Sequence, residues 1–541
     1  MKTFLAFLFF ILSVNSYAQQ LTVSPEVKKG MDRIDTNRIH AVIEYLADDR
    51  LKGRKPGTEG YKLAADYIVE NFKKIGLLPA GDKDSYFQSL ILRKAIIDPA
   101  SFKAEWKDKN GTTELYSKSD IQFIPHPLKT EINISAPLVF AGYGTEIPGG
   151  YSDYKGIDVK GKIVVVLRGT PPGLQSTLAA HFNRAGSKMV TAFKKGAVGL
   201  IIANPVPTSS PATATANFPS LTVSLNPEKT IVYGSGATGD LALTANMSLK
   251  GLNFLFTASE KNFDQVFAEL KSGNSQSFDL NGDLTVSYKN SYEDIVGYNI
   301  IGKIEGTDKN LKNEYVVHSA HLDHIGIGRP VNGDSIYNGA HDNASGVASL
   351  LEIARLYKEK GIAPKRSILI AMVTSEEAGL VGSHYFASNP TVPITSIVAD
   401  VNTDMPTFIA PLLSIVPLGA EHSSLMKNVQ FAASYLKLDI EPDPEPSENR
   451  FVRSDQYSFV MQGIPALNIK YGNKTNTPGF DLGAFIKNWR AKYYHQPADG
   501  IDGIFYYPAA ITYVQLNFLI SYSIAQTTKR PTWNPGDLFG K

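Results

Sequence analysis

Between Val316 and Asp404, three apolar runs each give way to ionisable side chains. Val316-Val317-His318-Ser319-Ala320 leads into His321-Leu322-Asp323-His324, the run ending at Thr374 leads into Ser375-Glu376-Glu377-Ala378-Gly379, and the run ending at Val401 leads into Asn402-Thr403-Asp404-Met405. A further cluster, Gly339-Ala340-His341-Asp342-Asn343-Ala344-Ser345-Gly346, lies between the first two among small residues. Burying such groups unpaired costs several kcal/mol each, so a hydrophobic core has no use for them. A divalent metal site does.

The surrounding pattern says where such a site would sit. From Val296 onward, apolar runs at Tyr298–Ile304, Tyr315–Ser319, Ser367–Thr374, Ile397–Val401 and Ala466–Ile469 alternate with helices beginning near Ser345, Leu380 and Ser424. That alternation predicts an α/β fold with a mostly parallel central sheet and helices on both faces. Ligands bind such sheets outside the carboxyl ends of the strands, where His321, Glu376, Glu377 and Asp404 stand. Upstream, Ile39, Val42, Ile43 and Leu46 recur at helical spacing behind Asp35 or Thr36, and a second amphipathic helix ends near Gly76. The loop Leu51–Gly60 between them has no Gly-Lys-Ser/Thr pattern and reads as a plain helix-to-helix connection. A closing helix is expected from Ala509 to Ile524, followed by a polar tail from Thr527 to Lys541.

At 541 residues, two or more domains are expected. Lys+Arg 54 against Asp+Glu 52 leaves a formal charge of +2, which gives no reason to propose a nucleic-acid partner. Lys2, the apolar run Phe4 to Val14 and Ser16-Tyr17-Ala18 read as a signal peptide cleaved before Gln19. The run is short of the roughly 20 residues that span a bilayer, so export to the periplasm or the medium without stable membrane insertion is expected. With Cys at 0, lipid attachment after the signal, thiol catalysis and zinc-thiolate sites are excluded. Any metal must be held by His, Asp and Glu.

In strand geometry His321 and Asp323, two apart, point to one face. Asp323 is then placed to accept from the ring N–H of His321 and fix its tautomer. Asp342 precedes a helix among small residues and could bridge two cations. Glu376 and Glu377 are adjacent and diverge, so one can bind metal while the other faces substrate. Asp404 and a distant His would complete two sites of mixed nitrogen and oxygen ligation, which suits zinc. Two zinc ions about 3.5–4 Å apart and sharing a water form a hydrolytic centre.

The distant His is sought in Tyr494-His495-Gln496-Pro497-Ala498-Asp499. With this segment, His321-Leu322-Asp323-His324, Gly339 to Gly346, Glu376-Glu377-Ala378-Gly379-Leu380-Val381-Gly382-Ser383 and Asn402-Thr403-Asp404-Met405, the chain resembles the co-catalytic di-zinc aminopeptidases. Their superfamily also holds glutamate carboxypeptidases and transferrin receptors. The resemblance implies two zinc ions per chain, with Asp342 bridging, His321 and Asp404 on one ion, and Glu377 and His495 on the other. It implies Glu376 as general base acting on a metal-bridging water, and Tyr494 near the developing oxyanion. Peptide or protein N-termini would be the substrate, and oligomeric state stays open.

Two departures stand out: His341, where the family commonly has an acid, and Gln456, where it often has His. The β-rich middle, with Asp153-Tyr154-Lys155-Gly156, Val159–Val166 and Gly196-Ala197-Val198-Gly199, resembles a protease-associated (PA) domain. The expected layout is a signal at 1–18, the N-terminal part of the peptidase domain at 19–131, the PA insert at 132–290 and the main peptidase part at 291–541. Among other histidines, His318 reads as core, His324 as either supporting the site or packing, and His40, His126 and His422 as surface. A carboxypeptidase of the same superfamily, which would need basic residues at the far end of the cleft, is the rival within enzymes. A non-catalytic binding protein is the other rival, and it should have lost ligands that this chain retains.

Overall fold

The computed structural model describes residues 22–115, 120–207, 219–226, 228, 230–232 and 241–540. The expected signal at 1–18 lies outside the described residues, as do residues 208–218 of the stretch from Pro205 to Pro219, which its Pro, Thr, Ser and Ala content reads as an exposed loop. The apolar runs become the centre of a sheet. Strands Ser367–Val373, Tyr315–His321, Ile397–Asn402 and Ala466–Tyr471 lie side by side and parallel in that order. Ile300–Ile304 is antiparallel on one flank, and the strand Ser414–Leu418, which periodicity did not flag, is antiparallel on the other. The sheet is thus parallel where it is buried on both faces and mixed overall, as continuous apolar strands require.

Alternation along each central strand divides the core. Val316, Ala320, Ile368, Ile370 and Met372 face the helices Thr36–Leu46, Glu59–Ile75, Ser345–Lys358 and Tyr507–Gln526. Val317, Leu369, Ala371 and Val373 face Val381–Ser388 and Gln456–Met461. The first helix starts, and the second ends, where the sequence predicts. Asp35 accepts from the Asn37 amide, Thr58 accepts from the Tyr61 amide, and Gly76 at φ 85° ends the second helix. Among the described residues no helix is long and apolar enough to cross a membrane.

The β-rich unit is joined to this sheet by one strand, Ser277–Ile304, 28 residues long. Its first part pairs with Glu131–Ala141 and Lys103–Asp108, its middle with Phe87–Ile97, and its end with Ser367–Val373. Strands Ile163–Leu167, Gly199–Ala203 and Leu243–Met247 extend the first sheet in parallel. Strands Lys103–Asp108 and Ile121–Ile124 also belong to it, through Gly282–Ser287 and Leu243–Met247. The expected cut at 131/132 therefore falls inside the β-rich unit. These short strands have little local pattern, and the partners that tie them to this sheet lie more than a hundred residues away.

The expected polar tail is a packed strap. Trp533 pairs with Ser423 and donates its indole N–H to the Gly463 carbonyl at 2.8 Å, while Phe539 is buried beside Phe451 and His422. His422 and His126 are buried rather than on the surface, whereas His40 is exposed. His422 links three parts of the chain. Its Nδ1 lies 2.7 Å from Asp537 of the strap and its Nε2 lies 2.8 Å from Thr177 of the β-rich unit. A carboxylate only accepts, so Nδ1 carries the proton. Phe539→Ala is expected to cost about 3 kcal/mol of stability, as truncation of a buried Phe does, and chemical denaturation would register it as an earlier midpoint.

Candidate metal centre

Three strand ends and one loop converge on a small volume. His321 is the last residue of its strand, Glu376 and Glu377 follow Ser367–Val373 by three and four residues, and Asp404 follows Ile397–Asn402 by two. The ligand atoms of His321, Asp342 and Asp404 lie within 4.8 Å of one another, and so do those of His324, Asp342 and Glu377. Asp342 is common to both groups. His321 Nε2 is 3.2 Å from one Asp342 oxygen, and His495 Nε2 is 3.2 Å from the other and 3.1 Å from Glu377. Zinc–ligand bonds of about 2.0 Å place tetrahedral ligand atoms about 3.3 Å apart. Those three separations therefore suit two tetrahedra sharing Asp342. His324 stands closer, 2.6 Å from Glu377, and His321 to Asp404 is wider at 3.7 Å. Donors are imidazole nitrogen and carboxylate oxygen throughout, a set that fits zinc.

The loops are held by contacts that the sequence pattern did not announce. Arg54, 1% exposed, donates to the carbonyls of Leu322 at 2.9 Å, Gly339 at 3.1 Å, Asn338 and Leu46. It fastens the His321–Asp323 turn to the Asp342 loop from the segment that read as a plain connection. The chain reaches it through left-handed residues at Lys52, Gly53 and Arg54, and a side chain at Gly53 would meet the Tyr337 carbonyl at 2.3 Å. Asn343 joins the Asp342 loop to the Asp404 loop. Its amide donates to Thr403 at 2.9 Å, and its carbonyl oxygen accepts from Met405 at 3.1 Å. The Asp499 carboxylate accepts from the main-chain amides of His341 at 2.9 Å and Asp342 at 3.0 Å. The signal available for these residues was their company: an Arg among glycines, and Asn and Asp inside the motifs.

Asp323 differs from expectation. Its carboxylate accepts from the amides of Glu376 at 3.1 Å and Glu377 at 3.4 Å, orienting both glutamates. The ring of His321 instead donates from Nδ1 to the Asp323 main-chain carbonyl at 3.1 Å. The Nδ1 proton is fixed all the same, so Nε2, which faces Asp342, is the ring nitrogen that a metal would take. His341 lies away from the donors, stacked 4.1 Å from Phe505 with Nε2 3.0 Å from the Ile504 carbonyl, and burial pushes it down to about 4. Gln456 is buried between Asn402 and the Phe451 carbonyl, so it braces the site rather than meeting substrate. His318 is wholly buried, as expected.

Charge in the site is mutually compensated. Burial works against the Asp342 carboxylate, yet the imidazoles of His321 and His495 hold it well below the usual range. Burial likewise opposes Asp404, and Lys470 with His321 holds it down to about 2. Glu376 goes the other way: burial, with Glu377, Asp404 and Asp455 nearby, raises it well above an ordinary carboxyl despite His321. Tyr494 stacks on His495 at 3.9 Å, and its oxygen accepts from Arg453 at 3.1 Å. The site opens into a cleft of about 370 Å³ whose walls include Glu376, Glu377, Tyr494 and His495 on one side and Arg168 and Arg184 of the β-rich unit on the other.

Replacing Arg54 by Met leaves four buried carbonyls without that donor, at about 1–3 kcal/mol each. Arg54→Met is expected to lower the melting temperature and the zinc retained per chain after dialysis, and elemental analysis checks the second effect. Arg54→Lys is expected to restore little, because an ammonium lacks the planar fork.

Comparison with known proteins agrees with this geometry. Residues 299–512 match the family model of peptidase family M28, and residues 134–231 match the PA domain. Leupeptin-inactivating enzyme 1 of Streptomyces exfoliatus is 26% identical over 212 residues, 38% of this chain and 44% of that protein. Aminopeptidase NAALADL1 of Mus musculus is 31% identical over 163 residues, 29% of this chain and 20% of that one. The chain thus spans less than half the length of these two relatives. A probable lipoprotein aminopeptidase, LpqL of Mycobacterium tuberculosis, is 24% identical over 499 residues, covering 87% of this chain and 82% of its own. In fold, the chain is similar to an aminopeptidase from Aneurinibacillus sp. strain AM-1, with a TM-score of 0.51 at 19% identity over 94% of this chain and 98% of the other. The segment 299–512 is thus similar to peptidase family M28, and a segment similar to the PA domain precedes it at residues 134–231.

Proposed function

We propose that the protein is an exported aminopeptidase that removes N-terminal residues from peptides at a centre holding two zinc ions. The observation that carries this reading is Asp342, one carboxylate shared between two groups of donors with Glu376 beside them. His321, Asp342 and Asp404 would hold one ion, and Asp342, Glu377 and His495 the other. Zinc bound there would polarise the scissile carbonyl and lower the pKa of water. The similar proteins named above as aminopeptidases support the choice of peptide end.

The chain's own residues supply the rest. Asp323, through the amides of Glu376 and Glu377, turns one glutamate to the donors and the other to the cleft. Glu376, whose burial gives its carboxylate a raised proton affinity, takes a proton from the attacking water and returns it to the leaving amine. Arg453 donates to the Tyr494 oxygen, which leaves the phenolic hydrogen free for an oxyanion in the cleft. Burial raises Tyr494 above its ordinary value, so it stays a phenol and a donor. Arg168 and Arg184 narrow the cleft from above, which favours chain ends and short peptides over folded loops.

Matched peptides with free and acetylated N-termini test the reading. Chelator-sensitive cleavage of the free set alone is expected; no cleavage of either by zinc-loaded protein would overturn it. Glu376→Gln is expected to lower kcat by about 10²- to 10⁴-fold with zinc content unchanged. Export predicts a mature N-terminus at Gln19, which intact-mass measurement of the secreted protein reads directly.

A further inference from the structure

The site has a second opening beside Asp404. A hollow lined by Asp342, Glu376 and Asp404 continues past Met405 into a cavity of about 160 Å³. The cavity's charged walls are Arg450, Lys470, Lys487 and Arg490 against the single carboxylate of Glu445. Arg450, Lys470 and Arg490 also line the hollow, so the basic wall reaches the metal positions.

These cations are poorly matched within the protein. Arg450 pairs with Glu445, and its side chain is 13% exposed. Lys470, 14% exposed, lies 3.6 Å from Asp404, a carboxylate whose charge is committed once a metal is bound. Arg490 forms no ion pair among the described residues and lies 4.3 Å over the ring of Tyr494. Burial pushes Arg450 down, and the neighbouring Arg490 guanidinium adds to the push. Like charges gathered around an open cavity are stabilised by an anion entering it.

The cavity joins the reacting centre, so its occupant is a group of the substrate, and the anionic groups of a peptide are carboxylates. A hydrophobic cavity of about 150 Å³ takes a benzene molecule, so 160 Å³ accommodates a short acidic side chain. The wider cleft of about 370 Å³, roofed by the β-rich unit, is left for the remaining peptide. We propose that this cavity receives the side chain of the substrate's N-terminal residue and selects Glu and Asp, with Arg450, Lys470 and Arg490 as the carboxylate-binding residues. This inference rests on the aminopeptidase reading.

The test uses the zinc-loaded mature protein and C-terminally amidated tetrapeptides beginning with Glu, Gln, Asp, Asn or Leu, together with N-acetylated peptides bearing a free terminal carboxylate. The expected result is kcat/KM for Glu over Gln, and for Asp over Asn, of about tenfold or more. Arg490→Glu is expected to bring the Glu/Gln ratio below one and to raise the relative rate on N-terminal Lys, whereas Arg490→Lys keeps the acidic preference. A merely structural arginine would not invert selectivity. Equal cleavage of Glu and Gln peptides, or a best rate on Leu, overturns the acidic pocket and leaves the aminopeptidase standing. Cleavage of the acetylated peptides that is abolished by amidating their carboxyl ends overturns it in favour of a pocket for the terminal carboxylate. No cleavage of any free N-terminus overturns both readings, and the wild-type ratio decides even where a variant fails to fold.

Discussion

A single guanidinium holds the metal loops in register. Arg54 reaches from between the first helices to the carbonyls of Leu46, Leu322, Asn338 and Gly339, so three segments far apart in sequence share one donor fork. Burial lowers its pKa to about 10, with Asp323, Asp499, Asp342 and Glu377 pulling the other way. It therefore remains charged at neutral pH, and the acidic site around it is part of the reason. The dependence runs in both directions: the carboxylates keep the arginine ionised, and the arginine places the backbone that carries them.

Around that link the loops that carry the ligands are tied together through main-chain groups. Asp323 receives two glutamate amides, Asp499 receives the amides of His341 and Asp342, and Asn343 ties Thr403 to Met405. Backbone amides cannot change rotamer, so such bonds locate carboxylates more tightly than exposed ion pairs would. The positive-φ residues Ser375, Met405 and His495 sit within this network, beside the side chains aimed at the site.

Much of this was legible in the sequence because periodicity and motif are local. The apolar runs gave the four parallel strands, the helix signals at Asp35 and Gly76 marked real ends, and the acidic and imidazole residues closing those runs do converge. The features that escaped are non-local. Arg54 acts only through carbonyls, which carry no sequence signature, and the Asp323 carboxylate turned to amides rather than to an imidazole two residues away. The strands Lys103–Asp108 and Ile121–Ile124 are defined by partners near Gly282 and Ala245, so no window around them shows which sheet they join. The basic wall assembles from Arg450, Lys470 and Arg490 on separate elements.

The strand Ser277–Ile304 is hydrogen-bonded along almost its whole length, first to the β-rich sheet and then to the peptidase sheet. A hinge between the two would have to break a ladder rather than bend a linker. The roof carrying Arg168 and Arg184 is accordingly closer to a fixed aperture than to a door, and the cleft works as a sieve. What enters is decided by the cross-section of the substrate, so a frayed chain end passes where a folded surface does not, with no cycle of opening and closing to set the pace.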